Sequence, residues 1–311
     1  MSVIKPYKRA VVLGAGGFIG INLVNALVER GFEVVCFDRS ISPLWPKTVT
    51  TVVGDFNNPP LELFQELDQA LVFHLVSSCR PSASTAQAAD EASHDLVSTI
   101  RLLEETKSRA LRWIFLSSGG TVYGQNNDRQ ITELSPVAPI CSYGVVKLAI
   151  EHYYGLYHIL HGTDYVVVRL ANPYGPGQDP LKGQGLIAAM LYKSLKGDAI
   201  EVWGDGENVR DYIYIDDAVG GIIALALCEA TGETFNIATT QGYSINQLIE
   251  IINQVMKITL TVNYSSARNI DVKRNVLNNQ KALMHTSWLP DTDIKAGISL
   301  TKSWMRSYYG L

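Results

Sequence analysis

Cysteine is scarce and scattered in this 311-residue sequence. Cys36, Cys79, Cys141 and Cys228 contain no C-x-x-C pair, so neither a disulfide framework nor a cysteine zinc site is indicated, and no metal is expected. Four isolated thiols suit a reducing compartment. Charge is also sparse, at 18% of residues with a net −4, and no basic run exists to neutralise phosphates; a nucleic-acid partner is disfavoured. Long apolar runs are missing too. The most apolar later stretch, around Ala218 to Cys228, falls far short of the ~20 residues that a membrane span needs. Near the start, Lys5, Lys8 and Arg9 precede an apolar run, as in a signal peptide. That run breaks at once into Gly14-Ala15-Gly16-Gly17 and reads better as a first strand. The expectation is a soluble cytoplasmic protein with no membrane span, internal repeat or low-complexity segment. Its length suits one large domain and a smaller one.

What is present begins with Arg9 to Leu13, an apolar run without alternation, as in a strand covered on both faces. Gly14-Ala15-Gly16-Gly17-Phe18-Ile19-Gly20 follows. Ile21, Val24, Leu27 and Val28 then recur at helical spacing up to Gly31, and a second apolar run, Glu33 to Phe37, stops at Asp38. Strand, glycine loop, helix, strand and acid make the setting of a dinucleotide site. Gly14 and Gly17 permit a tight turn and close approach of a pyrophosphate, while Phe18 and Ile19 open a helix whose N–H groups face it. Asp38 would accept the adenosine ribose hydroxyls and repel a 2′-phosphate, favouring NAD. Arg39 could hold that phosphate, which keeps NADP as the lesser alternative.

Further strands read at Thr50 to Val53, Ala70 to Val76, Arg112 to Leu116 and Tyr165 to Leu170, with a helix over Ala86 to Lys107 and a polar loop over Gln125 to Pro139. This regularity implies a parallel sheet with helices on both faces. Asp55 could meet the adenine or cap the next segment. Tyr143 and Lys147 stand four apart in a helical stretch, so phenol and ammonium share a face. A neighbouring ammonium and a cationic nicotinamide would lower the phenol's pKa from about 10 and make it a general base near neutrality. After Asn172 the texture turns Gly- and Pro-rich. The domains expected are 1–172, with 207–230 returning to it, and 173–311. Ser244 is expected to cap a helix over Ile245 to Met256.

Together these motifs resemble the extended short-chain dehydrogenase/reductase superfamily, and most of all its UDP-glucose 4-epimerase type. The carriers are the Gly14–Gly20 loop, Asp38, Gly54-Asp55, Ser117 to Gly124, the Tyr143/Lys147 pair, Arg169 to Gly175, Trp203-Gly204-Asp205-Gly206 and Arg210 to Tyr214. The resemblance implies an α/β fold: a Rossmann-type doubly wound parallel sheet with a smaller C-terminal α/β substrate-binding domain. It implies NAD held by Gly14, Gly17, Phe18, Ile19, Asp38, Arg39, Asp55, Phe56, Leu75, Ser77, Tyr143 and Lys147. It implies a UDP-sugar held by Ser118, Thr121, Tyr143, Asn172, Arg210, Arg268, Asp271 and Asn275, with Asn275 on the pocket wall near the sugar's C2 substituent. A homodimer through the helices starting near Ala86 and Val145 is implied as well. Two positions depart from the pattern. The usual catalytic Ser or Thr is Gly119 here, leaving the hydroxyls of Ser118 and Thr121. Asp95 stands where Asn is usual, and a carboxylate near a diphosphate is expected to face away.

The reaction implied is inversion at C4 of a UDP-hexose through a transient 4-keto sugar, with Tyr143 as base and Lys147 tuning it. A 4-dehydrogenase or 4-ketoreductase could use the same pair. A 4,6-dehydratase needs an acid and a base where Gly120 and Thr121 stand. A non-catalytic nucleotide-sensing module is the reading from another class.

Overall fold

The computed structural model describes residues 7–78, 88–126, 130–266 and 272–311. The first half alternates as its apolar runs lead one to expect: β1 (Arg9–Leu13), α1 (Phe18–Glu29), β2 (Glu33–Asp38), β3 (Thr50–Val53), α2 (Leu61–Glu66) and β4 (Ala70–His74). Next, α3 (Ala88–Glu91) passes through one π-helical stretch, Ala92–Val97, into α4 (Ser98–Thr106). Then come β5 (Arg112–Ser118), α5 (Ser142–His161) and β6 (Asp164–Leu170). The second half holds β7 (Asn172–Tyr174), α6 (Leu186–Lys196), β8 (Ile200–Trp203), β9 (Val209–Tyr214), α7 (Ile215–Leu227), β10 (Glu233–Ile237), β11 (Gly242–Ser244) and α8 (Ile245–Met256). It ends with β12 (Val262–Ser265), β13 (Arg274–Asn275), α9 (Gln280–His285) and α10 (Ile294–Tyr309).

Seven parallel strands form the main sheet in the order β10-β6-β5-β4-β1-β2-β3. Its central strands are mostly apolar because both faces are covered. Val12, Ile114 and Val168 pack with Leu23 of α1 and Ile222 of α7. Val11, Val72 and Val167 pack on the other side with Leu102 of α4 and Tyr154 of α5. The order reverses between β1 and β4, so a crevice opens beyond their C-terminal ends, where ligands bind in doubly wound sheets.

The sheet takes its edge strand from beyond the segment expected to return: β10 lies at 233–237, whereas the sequence suggested 207–230. A hydrophobic strand that far along the chain carries no mark of which sheet it joins. A second sheet, β11-β9-β13 with β7 also on β9, and a parallel pair, β12-β8, cap the crevice. Two helix ends behave as their residues dictate. Gly31 and Gly162 adopt φ of 82° and 70° after α1 and α5, and Ser244 and Gln247 form a complete capping box on α8.

Candidate active site

The crevice is one continuous cleft of about 1200 Å³. At one end lies the glycine loop. Gly14 turns at φ +85°, and a Cβ on Gly20 would lie 2.3 Å from the Gly14 carbonyl oxygen, so α1 can pack this close to the turn only with glycine there. Helix α1 starts from Gly17 with no side chain capping its first N–H groups. Asp38 ends β2 and accepts from Gly16 N at 2.8 Å and Arg39 N at 2.7 Å. Gly14, Gly17, Phe18, Ile19, Arg39, Leu75 and Ser77 line this end of the cleft. An uncapped helix start behind a glycine turn, with a carboxylate at the neighbouring strand end, fits the pyrophosphate and ribose of a dinucleotide.

Tyr143 and Lys147, on the first turns of α5, line the middle of the same cleft with Ser118 from the end of β5. Lys147 Nζ lies 5.7 Å from the centre of the Tyr143 ring and donates to the Leu116 oxygen at 3.1 Å. Burial pulls the ammonium down to about 8, while Asp95, Glu151 and Glu91 pull it up. The phenol departs from expectation. Burial first, then the negative charge of Asp95, hold it well above its ordinary value, and a hydrogen bond with Ser118 only partly offsets them. The polypeptide therefore does not by itself make Tyr143 acidic.

Asn172 and Arg210 line the far half. Asn172 donates to the Asp211 backbone oxygen at 2.9 Å. Asp211 turns its own carboxylate to Thr239 and Thr240. A Cβ on Gly120 would stand 3.6 Å from Asn172 Oδ1 and 3.9 Å from Ser118 Oγ, so both polar groups border open space beside this glycine.

Several expected site residues lie elsewhere. Asp95 faces inward, contrary to expectation: it is 2% exposed and accepts from Ser78 N at 2.9 Å and Ser77 Oγ at 3.1 Å. These donors satisfy the inward-facing carboxylate. Asn275 is fully buried behind the cleft and donates to the Gly119 oxygen at 3.0 Å, so it does not form the wall near a sugar. A side chain at Gly119 would be crowded: its Cβ would lie 2.4 Å from Leu277 Cδ1 and 3.1 Å from the Arg169 and Leu170 carbonyl oxygens. The Thr121 hydroxyl is buried, without a partner and outside the cleft lining. Asp55 caps a turn, accepting from Asn57 N at 2.9 Å, and Phe56 packs on His74 in the core. Neither lines the cleft. Arg268 and Asp271 lie outside the described residues.

The sequence reading missed three contributors. Trp45 Nε1 donates to the Ala15 oxygen at 3.0 Å and brings Ser42 to Leu44 to the rim. The uncapped N-terminus of α6, Gly185 to Ile187, and the aromatic Trp304 and Tyr308 of α10 complete the far wall. Gly183 and Gly185 before α6 were the one available signal.

The fold and cleft define a dinucleotide-binding α/β enzyme with a Tyr–Lys pair beyond the ends of its central strands. The sequence profile of the NAD dependent epimerase/dehydratase family matches residues 10–238, and the chain belongs to that family; its cofactor is NAD. It is similar to the UDP-glucose 4-epimerase of Mycolicibacterium smegmatis, with 29% identity covering 96% of this chain and 99% of that protein. Among solved structures, UDP-glucose 4-epimerase from Thermotoga maritima, crystallised with UDP-glucose, superposes with a TM-score of 0.92 at 29% identity, covering 97% of this chain and 99% of the other. The UDP-N-acetylglucosamine 4-epimerase from Methanobrevibacter ruminantium, in complex with UDP-N-acetylmuramic acid, gives 0.90 at 28% identity with the same coverage.

Proposed function

We propose that the chain is a nucleotide-sugar 4-epimerase that inverts C4 of a UDP-hexose, plain or N-acetylated, through a transient 4-keto sugar. The observation that carries this is the meeting of Tyr143 and Ser118 in one cleft, between the glycine loop on one side and Arg210 on the other. Bound NAD would supply the reversible two-electron redox chemistry at C4. Tyr143 removes the O4 proton and returns it. Ser118 Oγ holds O4, because Thr121 does not line the cleft and position 119 has no side chain. Lys147 would hold the nicotinamide ribose, and it adds positive charge near the phenol. Arg210 and the uncapped start of α6 grip the diphosphate, so the hexose is held by few contacts and can turn over. Gly120 and Thr121 supply no acid and base for dehydration.

The deciding experiment is product analysis by mass spectrometry and NMR on a panel of UDP-, dTDP- and GDP-sugars. A C4 epimer formed without added NADH supports the reading. Accumulated keto sugar with stoichiometric NADH makes the protein a 4-dehydrogenase instead.

The chain is also proposed to work as a homodimer. Val145, Leu156, Ile159 and Leu160 stand 44–80% exposed on one face of α5, a stripe that a second copy would cover.

A further inference from the structure

The π-helical stretch Ala92–Val97 carries a carboxylate that the mechanism above does not use. Asp95 is 2% exposed and anchored on Ser77 Oγ and Ser78 N, the turn whose Val76 oxygen accepts from Lys147 Nζ at 3.5 Å, and both this stretch and α3 pack on α5, so its charge acts on Tyr143 and Lys147. One turn earlier, Glu91 is 1% exposed, and neither of its oxygens has a hydrogen-bond partner. Its charge reaches the same two groups. Glu151, the remaining carboxylate acting on Lys147, is neutralised by Arg169 at 2.6 Å. Cys141 acts on the phenol from the turn before α5. On the β4 side, His74 sits against Tyr154, and burial and the Lys147 charge hold it neutral. Among the described residues, two buried carboxylates thus share one ammonium beside the phenol.

We infer that Asp95, reinforced by Glu91, is a positioning residue that fixes the pH window of the reaction, holding Lys147 charged and Tyr143 protonated until ligands are in place. The reason is the sign of the charge. A negative charge makes proton loss harder from a phenol and from an ammonium alike, so it moves both in the same direction. In a bell-shaped profile set by these two groups, the acidic and basic limbs must move together. An anchor for the Ser77–Ser78 turn would do something different, changing the height of the bell and not its position.

This inference rests on the proposed Tyr143 chemistry, and two measurements keep them separable. The first is the pH profile of kcat/KM for UDP-hexose epimerisation by the NAD-loaded protein. Asp95→Asn should displace both limbs to lower pH by about one unit, Asp95→Glu should restore them, and Glu91→Gln should produce a smaller displacement in the same direction. The second needs no turnover: the Cζ resonances of ¹³C-labelled tyrosine in the NAD-loaded protein, with Tyr143 assigned by its loss in Tyr143→Phe. Its titration should fall in Asp95→Asn and in Glu91→Gln. Glu91 makes no hydrogen bond, so its variant keeps the test alive if Asp95→Asn does not fold. A bell that loses height at every pH without moving, together with an unmoved phenol titration, overturns the inference. Absence of any epimer with a moved titration removes the epimerase reading and leaves this one standing.

Discussion

Tyr143 and Ser118 are where a single atom decides the chemistry. Removing the phenolic oxygen in Tyr143→Phe should lower epimer formation by about 10²- to 10⁴-fold, the usual worth of a positioned acid–base group, while NAD stays bound, as its absorbance on the purified protein would report. Ser118→Ala should cost roughly tenfold or more, in line with one lost hydrogen bond to a reacting group. Thr121→Val should leave the rate near wild type, since this hydroxyl does not line the cleft. Equal losses in both variants would return the two hydroxyls to the same footing. The pair at 143 and 147 was legible because a spacing of four is a property of the helix itself. The choice between Ser118 and Thr121 was not, because which of the two hydroxyls opens on the cleft is decided by how the turn after β5 packs in the folded chain. Asp95 was misread for a similar reason: its donors, Ser77 and Ser78, stand on another element.

Two elements support the cleft from beneath. Under β5 and β6, Arg169 bonds Glu151 of α5, which also accepts from Ser117. Both members of this pair are under a tenth exposed. Glu151→Leu leaves a buried guanidinium alone and should cost about 3–5 kcal/mol in urea unfolding. On β9, burial raises Asp211 from its ordinary 3.8 to about 6, against hydrogen bonds from Thr239 and Thr240. The folded state therefore binds this proton more tightly than the unfolded chain. The resulting stabilisation is fully present below about pH 4 and is lost as pH rises through 6. On lowering pH from 7 to 4.5, wild type should gain up to about 2 kcal/mol relative to Asp211→Asn, seen as a growing gap in Tm; a constant gap would contradict it. Strands and helices of the first half were readable from continuous apolar runs and 3.6-residue spacing. The π-helical turn was not, since a single extra residue in a helix leaves the apolar pattern nearly unchanged. Short strands such as β7 and β13 are held by their partners on β9, not by any local preference.

Over the whole molecule, the stripe on α5 makes a test of assembly. Ile159 is 80% exposed, so Ile159→Glu should leave the fold intact and shift the particle to monomer in light scattering if that face joins two copies. Domain order was the part least open to sequence reading, because the change of texture near Asn172 is not where the main sheet ends. The chain leaves that sheet after β6, comes back with α7 and β10, and departs again into β11. A fragment ending at 172 would leave the β6 edge bare and α1 without α7, and circular dichroism should find no cooperative melting for it.

The two walls of the crevice are consequently stitched together at several points along the backbone, among them near 171, 215 and 238. Halves joined by one tether can gape; halves laced repeatedly can only breathe. A reaction whose half-finished product must stay inside until it is completed is well served by such lacing. Nicking the chain at one of those seams should turn a vessel that holds its contents into one that leaks them.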